Sequence, residues 1–392
     1  MAGRLRVGVI FGGRSVEHEV SLMSARAVIG NLDPAKFEII PVAITKEGSW
    51  ITAPDPAILL QGGPGRGGLT DAVLPRLAGA SAAALTGDPG ARGLVPTGAP
   101  GARGLVPTGA PGRPVAPGER AFDVVFPLVH GPLGEDGTLQ GLLELAGIPY
   151  VGSGVAASAL GMDKALMKEV FAAKGLPMTP HRVFLRRRLR EDAAGAAGEA
   201  LGAMSLPLFV KPANGGSSVG VTKVKRESDL APALVKAAAY DRKVVVEEGV
   251  DAREVECAVL GNDDPEASVV GEIVPSREFY DYEAKYIDDD SELIIPAKLT
   301  AARASEVRGL AVAAFRALDA AGMARVDFFV RRADGAVLLN EVNTIPGFTP
   351  ISMYPRLWAA SGIPFPDLVE RLIRLALERH RDREESVRSL GA

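Results

Sequence analysis

Residues 325–343, RVDFFVRRADGAVLLNEVN, read as two apolar strands joined around Asp334-Gly335, and they carry acidic groups where a sheet usually buries hydrocarbon. Glu341 and Asn343 are two positions apart, so a strand places them on one face. Whether Asp327 joins them depends on the turn. A two-residue turn at Asp334-Gly335 pairs Asp327 with Val342 and points its side chain away. A three-residue loop over 333–335, with Gly335 in the left-handed region, pairs Asp327 with Glu341 and gathers Asp327, Glu341 and Asn343 on one face. Acidic groups among VDFF and VLLNEVN are costly if buried unpaired, so a cation is the economical explanation, and all-oxygen ligands favour Mg²⁺, which works with phosphates. The competing reading is a solvated strand face on which Arg325 is a salt-bridge partner.

The rest of the chain supplies a scaffold for such a face. Its 392 residues suggest two or three domains at roughly 150 residues each. RVGVIF (6–11) is a compact apolar strand ending at Gly12-Gly13, after which Ser15 opens a helical pattern with Val16, Val20, Met23 and Ala27 on one face. Segments 37–44 and 122–129 read as further buried strands, and 138–146 as a helix ended by Gly147 and Pro149. This is an open α/β domain, 1–152. A central domain over 153–251 begins with a helix at 164–174, followed by strands at 206–211, 219–224 and 243–247 around a helix at 229–239. A C-terminal domain over 252–392 holds strands at 255–260 and 268–274, a polar aromatic-rich loop at 275–292, a long helix at 302–321 and the hairpin above. GARGLVPTGAP at 90–100 repeats identically at 101–111 inside a Gly/Pro/Ala-rich stretch, 87–118. Two copies are too few for a solenoid, and the composition predicts a disordered surface insertion.

Several function classes drop out. With 44 Lys+Arg against 48 Asp+Glu, a net charge of −4, no general cationic surface is available for a phosphodiester backbone, so no nucleic acid is expected as a partner. One cysteine cannot make an internal disulfide, and MAGRLRVGVIFGG enters a strand with no cleavable apolar region, which predicts a cytoplasmic protein. No stretch of about 18 uncharged apolar residues is present, so no membrane partner is expected either. The run at 152–157, GSGVAA, matches a dinucleotide fingerprint but lacks the long preceding strand and the acidic residue about 20 positions on. GSSVG at 216–220 fits a serine-hydrolase elbow, but a β-pattern follows it, and the only downstream histidine, His380, lies in a charged C-terminal helix.

Two lysines offer positive charge to phosphates. Lys211 ends the strand LPLFVKP and precedes the loop 214–218, whose free backbone N–H groups can close over an anion. Lys164 opens its helix, where the N-terminus also favours anions. Each lysine alone reads more readily as a surface residue. Glu247-Glu248-Gly249 ends the strand KVVVEE, where a chain crossing between domains can present backbone groups to a base and a carboxylate to a ribose.

Together these segments resemble the ATP-grasp superfamily and, within it, the D-alanine:D-alanine ligases. The motifs are GGRSVEHEVS (12–21), HGPLGEDGTLQG (130–141), GSGVAASALGMDK (152–164), KPANGGSSVG (211–220), EFYDYEAKY (278–286), RVDFF (325–329) and NEVNTIPGFT (340–349), in the family's order and spanning nearly the whole chain. The 87–118 stretch is outside that pattern. The resemblance implies an α/β fold, α+β in its ATP-binding part, with three domains and ATP held between two of them. It implies ATP-dependent joining of two D-alanines through an acyl phosphate, with ATP and two Mg²⁺ (or Mn²⁺) as cofactors and a homodimer as the assembly.

Carried over residue by residue, Glu17 would hold the ammonium of the first D-alanine with His130 beside it. Arg325 and the backbone N–H of Gly347 would stabilise an oxyanion, and Ser352 and Met353 would receive the carboxylate of the second D-alanine. Lys164, Lys211 and Lys285 would hold phosphates, with Ser218, Glu247, Glu248, Val250 and Glu254 completing the nucleotide site. Asp327, Glu341 and Asn343 would bind the metals, and Ser217 and Tyr286 would link the closing loops to Glu17.

Overall fold

The computed structural model describes residues 3–52, 82–85, 94–97, 122–274 and 292–386. The first strand, β1 (Leu5–Gly12), is apolar on both faces, as a strand covered from both sides must be, and helix α1 (His18–Asn31) follows it. Next come β2 (Phe37–Ile44), β3 (Trp50–Thr52), β4 (Ala82–Leu85), β5 (Leu94–Thr97) and β6 (Val124–Pro127), then α2 (Thr138–Leu145). They form a six-stranded sheet in the order β5-β4-β3-β2-β1-β6, in which β1 lies parallel to both β2 and β6. The first copy of the duplicated segment therefore contributes an edge strand, β5, and is not irregular throughout as its composition predicts. Pro96 within it is tolerable because an edge strand leaves one side of its ladder unused. The second copy, 101–111, lies outside the described residues.

Helices α3 (Val155–Met162) and α4 (Lys164–Ala173) lead into a four-stranded antiparallel sheet. Asp163 caps α4, its carboxylate accepting the N–H groups of Ala165 and Leu166. The sheet elements are β7 (His181–Leu185), α5 (Arg186–Ala203), β8 (Leu208–Pro212), β9 (Thr222–Val224), α6 (Leu230–Tyr240) and β10 (Lys243–Glu248), ordered β7-β10-β8-β9. The remaining elements are β11 (Ala252–Gly261), β12 (Glu266–Val274), β13 (Glu292–Ile294), α7 (Ala301–Ala317), β14 (Gly322–Arg331), β15 (Val337–Asn343), α8 (Met353–Ala360) and α9 (Phe365–Glu384). Their sheet is antiparallel, in the order β13-β12-β11-β14-β15, and β14 alternates buried and half-buried residues as a one-faced strand should. The change from a partly parallel to a fully antiparallel sheet is the α/β then α+β organisation read from the sequence.

Two corrections bear on the site. The helix after β1 begins at His18, and its inward face carries Val20, Ser21, Ser24, Ala25 and Val28, whereas Val16 and Met23 are exposed. The apolar pattern was misphased because the buried face includes serines with structural work. Ser21 Oγ donates to the carbonyl of Leu128 (2.5 Å) and accepts from Gly12 N–H (2.7 Å), which ties α1 to β1 and to the segment after β6. The 325–343 hairpin does pair Asp327 with Glu341, by another route. Val330 pairs with Val337 and Arg331 N–H donates to Ala336, so the turn has four residues, with Gly335 left-handed at φ 72°. A bulge at Asn340 then shifts the register by one, and that shift brings the three oxygen-bearing side chains onto one face.

Candidate active site

A cavity of about 890 Å³ opens between the central sheet, the C-terminal sheet and the mouth of the N-terminal sheet. Among the described residues, every side chain or backbone group expected at the site lines it. Lys285 and Tyr286 fall outside the described residues.

On the N-terminal wall, Glu17 stands at the N-cap position of α1 without capping it through its side chain, and it is 9% exposed. Its Oε1 accepts the Ser217 hydroxyl at 2.5 Å, a contact from the N-terminal wall to the glycine loop of the central sheet. A Cβ on Gly131 or on Gly216 would lie 2.7 or 2.6 Å from Glu17 Oε2, and Gly131, at φ 78°, also needs the left-handed freedom of glycine. His130 is buried beside it, with Nε2 3.0 Å from Ser24 Oγ, Nδ1 3.1 Å from the Ile345 carbonyl and Nδ1 3.6 Å from Glu135 Oε1. Burial alone would push its pKa down, but Glu135 and Glu17 outweigh burial and hold it above the ordinary imidazole value.

The C-terminal wall continues from Ile345. Phe348 N–H donates to Ser24 Oγ (3.2 Å), so one α1 hydroxyl holds both His130 and the 345–348 turn. Gly347 packs so closely that a Cβ there would sit 2.8 Å from Ser352 Oγ. Ser352 stands at the N-cap of α8, its hydroxyl accepting from Thr349 N–H (3.0 Å), and Met353 is the first residue of that helix. A helix N-terminus edged by a hydroxyl is suited to a carboxylate.

Across the floor, Arg325 grips Asp327 with two hydrogen bonds of 2.7 Å and lies 2.9 Å from Glu256 Oε2. Burial opposes its charge, but Asp327 and Glu256 keep its pKa well above the ordinary value. Asn343 Nδ2 donates to Asp327 (3.0 Å), and Glu341 is 3.4 Å from Lys164 Nζ. Arg325 is thus the salt-bridge partner of Asp327, and two carboxylates and an amide line the cavity. Among the described residues no group of three or more His, Cys, Asp or Glu is placed to hold a metal ion. The donor set Asp327, Glu341 and Asn343 is all-oxygen and fits a hard divalent ion whose remaining ligands come from phosphates and water.

On the central wall, Lys164 Nζ also donates to the Gly215 carbonyl (2.9 Å), fixing the start of the glycine loop. Asn214, just before it, is held by Asp241, which accepts its N–H (2.8 Å) and Nδ2 (2.9 Å). Ser217 and Ser218 have φ of 49° and 59° and Gly220 of 77°, so the loop is a left-handed turn, and β9 follows it instead of the helix a hydrolase elbow needs. Glu248 accepts the N–H of Ser205 (2.7 Å), and Val250 and Glu254 line the cavity where β10 passes into β11. Glu247 lines the cavity too, but its carboxylate is occupied: Oε1 is 3.0 Å from Lys168 and Oε2 2.8 Å from Lys211. Burial would raise its pKa, yet the two lysines bring it down to about 2. Lys168, Ser24, Glu135 and Glu256 were not singled out from the sequence. Only Lys168 carried a signal, four residues after Lys164 and so on the same side of the helix.

Comparison with known proteins completes the picture. Residues 6–153 match the family described as D-ala D-ala ligase N-terminus, and residues 170–374 that described as D-ala D-ala ligase C-terminus. The chain is 46% identical over 387 residues to the D-alanine--D-alanine ligase of Geobacillus kaustophilus, covering 97% of each. It is 50% identical over 385 residues to that of Thermoanaerobacter pseudethanolicus, covering 96% of this chain and 98% of the relative. Among solved structures it resembles the D-alanine-D-alanine ligase from Coxiella burnetii (TM-score 0.81, 36% identity, 98% and 97% covered). It also resembles the VanG D-Ala:D-Ser ligase from Enterococcus faecalis (TM-score 0.79, 34% identity, 95% and 100% covered).

Proposed function

The chain belongs to the D-alanine–D-alanine ligase family, and from that premise we propose that it joins two D-alanines with ATP for peptidoglycan precursor synthesis, in a cavity walled by three domains bounded near residues 152 and 251. The carboxylate of the first D-alanine attacks the γ-phosphate, giving an acyl phosphate and ADP. The amine of the second then attacks the acyl carbon and phosphate leaves. The observation that carries this reading is the meeting, in one cavity, of an ammonium-sized carboxylate site at Glu17, an oxyanion pair in Arg325 and the Gly347 N–H, and phosphate-binding charge at Lys164 and Lys211.

Glu17 binds the first ammonium, and the tight glycines around it leave little room for a larger group. Arg325, oriented by Asp327 and Glu256, meets the tetrahedral oxyanion as a charge fixed in advance, which is where electrostatic stabilisation is strongest. Ser352 and the Met353 N–H take the carboxylate of the second D-alanine. Lys164 and Lys211 bind phosphates, joined by Lys285, and Ser217 tethers the glycine loop to Glu17 so that water, which would hydrolyse the acyl phosphate, is excluded. Tyr286 is assigned to the same closure by family resemblance. Ser218, Glu248, Val250 and Glu254 border the nucleotide. Asp327, Glu341 and Asn343 would hold two Mg²⁺ or Mn²⁺, which supply charge neutralisation of the phosphates when bound.

Family resemblance also supports a cytoplasmic homodimer, whose mass light scattering would measure. Among the described residues no helix is long and apolar enough to cross a membrane. The test of the reaction is phosphate release from ATP. It is expected with D-alanine and Mg²⁺, with the dipeptide as product, and not with L-alanine. Release without D-alanine, or D-alanine consumption without ATP, would contradict it, and D-serine in the same panel reports the breadth of the second site.

A further inference from the structure

Among the described residues, Lys168 is the charged side chain sealed most completely inside the protein, with 0% of its side chain exposed, and it does not line the cavity. It projects from α4 one turn after Lys164. That helix is anchored on both sides: Met167 and Phe171 pack in the core beneath the C-terminal sheet, while Ala165 packs on Ala213 and Val245 of the central sheet. The ammonium lies 3.0 Å from Glu247 Oε1, and the other oxygen of that carboxylate lies 2.8 Å from Lys211 Nζ. Lys211 is 12% exposed and does face the cavity.

We propose that Lys168 is a positioning residue that neutralises Glu247 from inside the protein and thereby leaves Lys211 with an uncompensated positive charge for the nucleotide phosphates. The charge count requires such a role. One carboxylate between two ammonium groups leaves a net single positive charge, and only Lys211 has access to the cavity through which a ligand can meet it. Remove Lys168, and Glu247 and Lys211 become a closed neutral pair with little left to offer an anion. A buried cation is costly to keep, so a lysine at this place needs a reason beyond packing. Burial does press the Lys168 ammonium below its ordinary value, opposed by Glu247 and aided by Lys211. Lys164 on Glu341 and Lys168 on Glu247 make one face of α4 the charge balance for both the C-terminal strands and the central sheet.

This inference rests on the nucleotide reading above, and its test separates the two. Binding of ADP with Mg²⁺ is measured by calorimetry, beside steady-state kinetics in ATP and D-alanine. Lys168→Met is expected to bind ADP at least about tenfold more weakly, the scale of one charge-assisted contact, and to raise KM for ATP in proportion while KM for D-alanine stays within about twofold. The double variant Lys168→Met/Glu247→Gln removes charge and counter-charge together and is expected to bind ADP within about threefold of Glu247→Gln alone, because Lys168 then has no carboxylate left to neutralise. A side chain that only fills space would give the same loss in the Glu247→Gln background. Unchanged ADP affinity in Lys168→Met, or that full loss again in the double variant, overturns the inference. Should the single variant fail to fold, the double variant decides, since the inference requires it to bind ADP within that threefold. Wild-type protein that binds no ADP overturns the nucleotide reading itself.

Discussion

The central sheet and the two sheets that flank it bury their apolar residues in different ways. Phe184, Leu189, Leu208, Val210, Leu230, Leu234, Val244 and Val246 form a core drawn wholly from residues of the central sheet and its helices. The flanking sheets each keep a core of their own, with Ile10, Val42, Phe122 and Leu143 in the first and Val255, Phe315, Phe328 and Leu339 in the last, but they also share a further one. Val7, Val9 and Phe126 of the first sheet share one core with Leu260, Ile273 and Met323 of the last, closed over by Tyr354, Trp358, Leu368 and Leu372 from α8 and α9. The amino-acid wall and the oxygen-bearing strands are thus one solid body, and Glu17, Arg325 and Gly347 cannot change their spacing without opening it. The nucleotide wall reaches that body through Ser217 to Glu17, through Lys164 to Glu341, and through helix α4, which packs Met167 and Phe171 under the C-terminal sheet and Ala165 against the central one. On the proposed reading, a ligase that admits ATP and then excludes water is served by a central sheet with its own core beside two sheets that share one.

The largest effect is expected from Glu341→Gln, on the fixed body, which should lower ligation by about three orders of magnitude by weakening phosphate neutralisation. Its thermal unfolding should match wild type. Near-normal turnover would remove the oxygen-bearing face from the mechanism. Next come two cavity-forming variants, each expected to cost about 2–5 kcal/mol. By calorimetry, Leu234→Ala should lower only the transition of the central sheet and Leu372→Ala only that of the flanking body, and a single shared transition moved by either would refute the separation. Ser24→Ala is smaller. It strands the His130 imidazole and the Phe348 N–H, about 1–3 kcal/mol for each buried group left unsatisfied, and should raise KM for D-alanine while ADP binding stays as in wild type.

The smallest effects are in pH, and they run in opposite directions. Glu247 has its folded pKa depressed from 4.5 to about 2, so its contribution is complete above about 4.5 and is lost as pH falls toward 2. His130 has its folded value raised above 6.5, so its contribution is complete below 6.5 and is lost as pH rises through the folded value. The central transition should therefore weaken on the acid side, and not in Glu247→Gln, while the flanking body weakens on the alkaline side.

Much of this was legible in the sequence because it is written in short-range chemistry. β2 was read to the residue, and the pairing of Asp327 with Glu341 followed from a strand period and a turn. What was hidden depends on partners far along the chain. The bulge at Asn340 leaves no mark in composition, and the result it produces was reached through a three-residue loop that the protein does not use. Helix α5 buries only Leu189, Ala196, Ala197 and Ala200, too small and too polar a face to show as a periodic stripe. The serines of α1 reversed its apparent inward face because they are satisfied by Leu128 and His130, more than a hundred residues away. The catalytic candidates were found through family motifs. Their supports, Ser24 and Lys168, show themselves only through contacts.

Native-state hydrogen exchange tests the two-body construction most directly. At low denaturant, amides of β8, β10 and α6 should exchange through one opening of lower free energy, and amides of β1, β11, β14 and α9 through a second, shared and higher one. A single opening free energy common to all these elements would contradict it, because the nucleotide wall would then be part of the same solid body as the wall it is held to close upon.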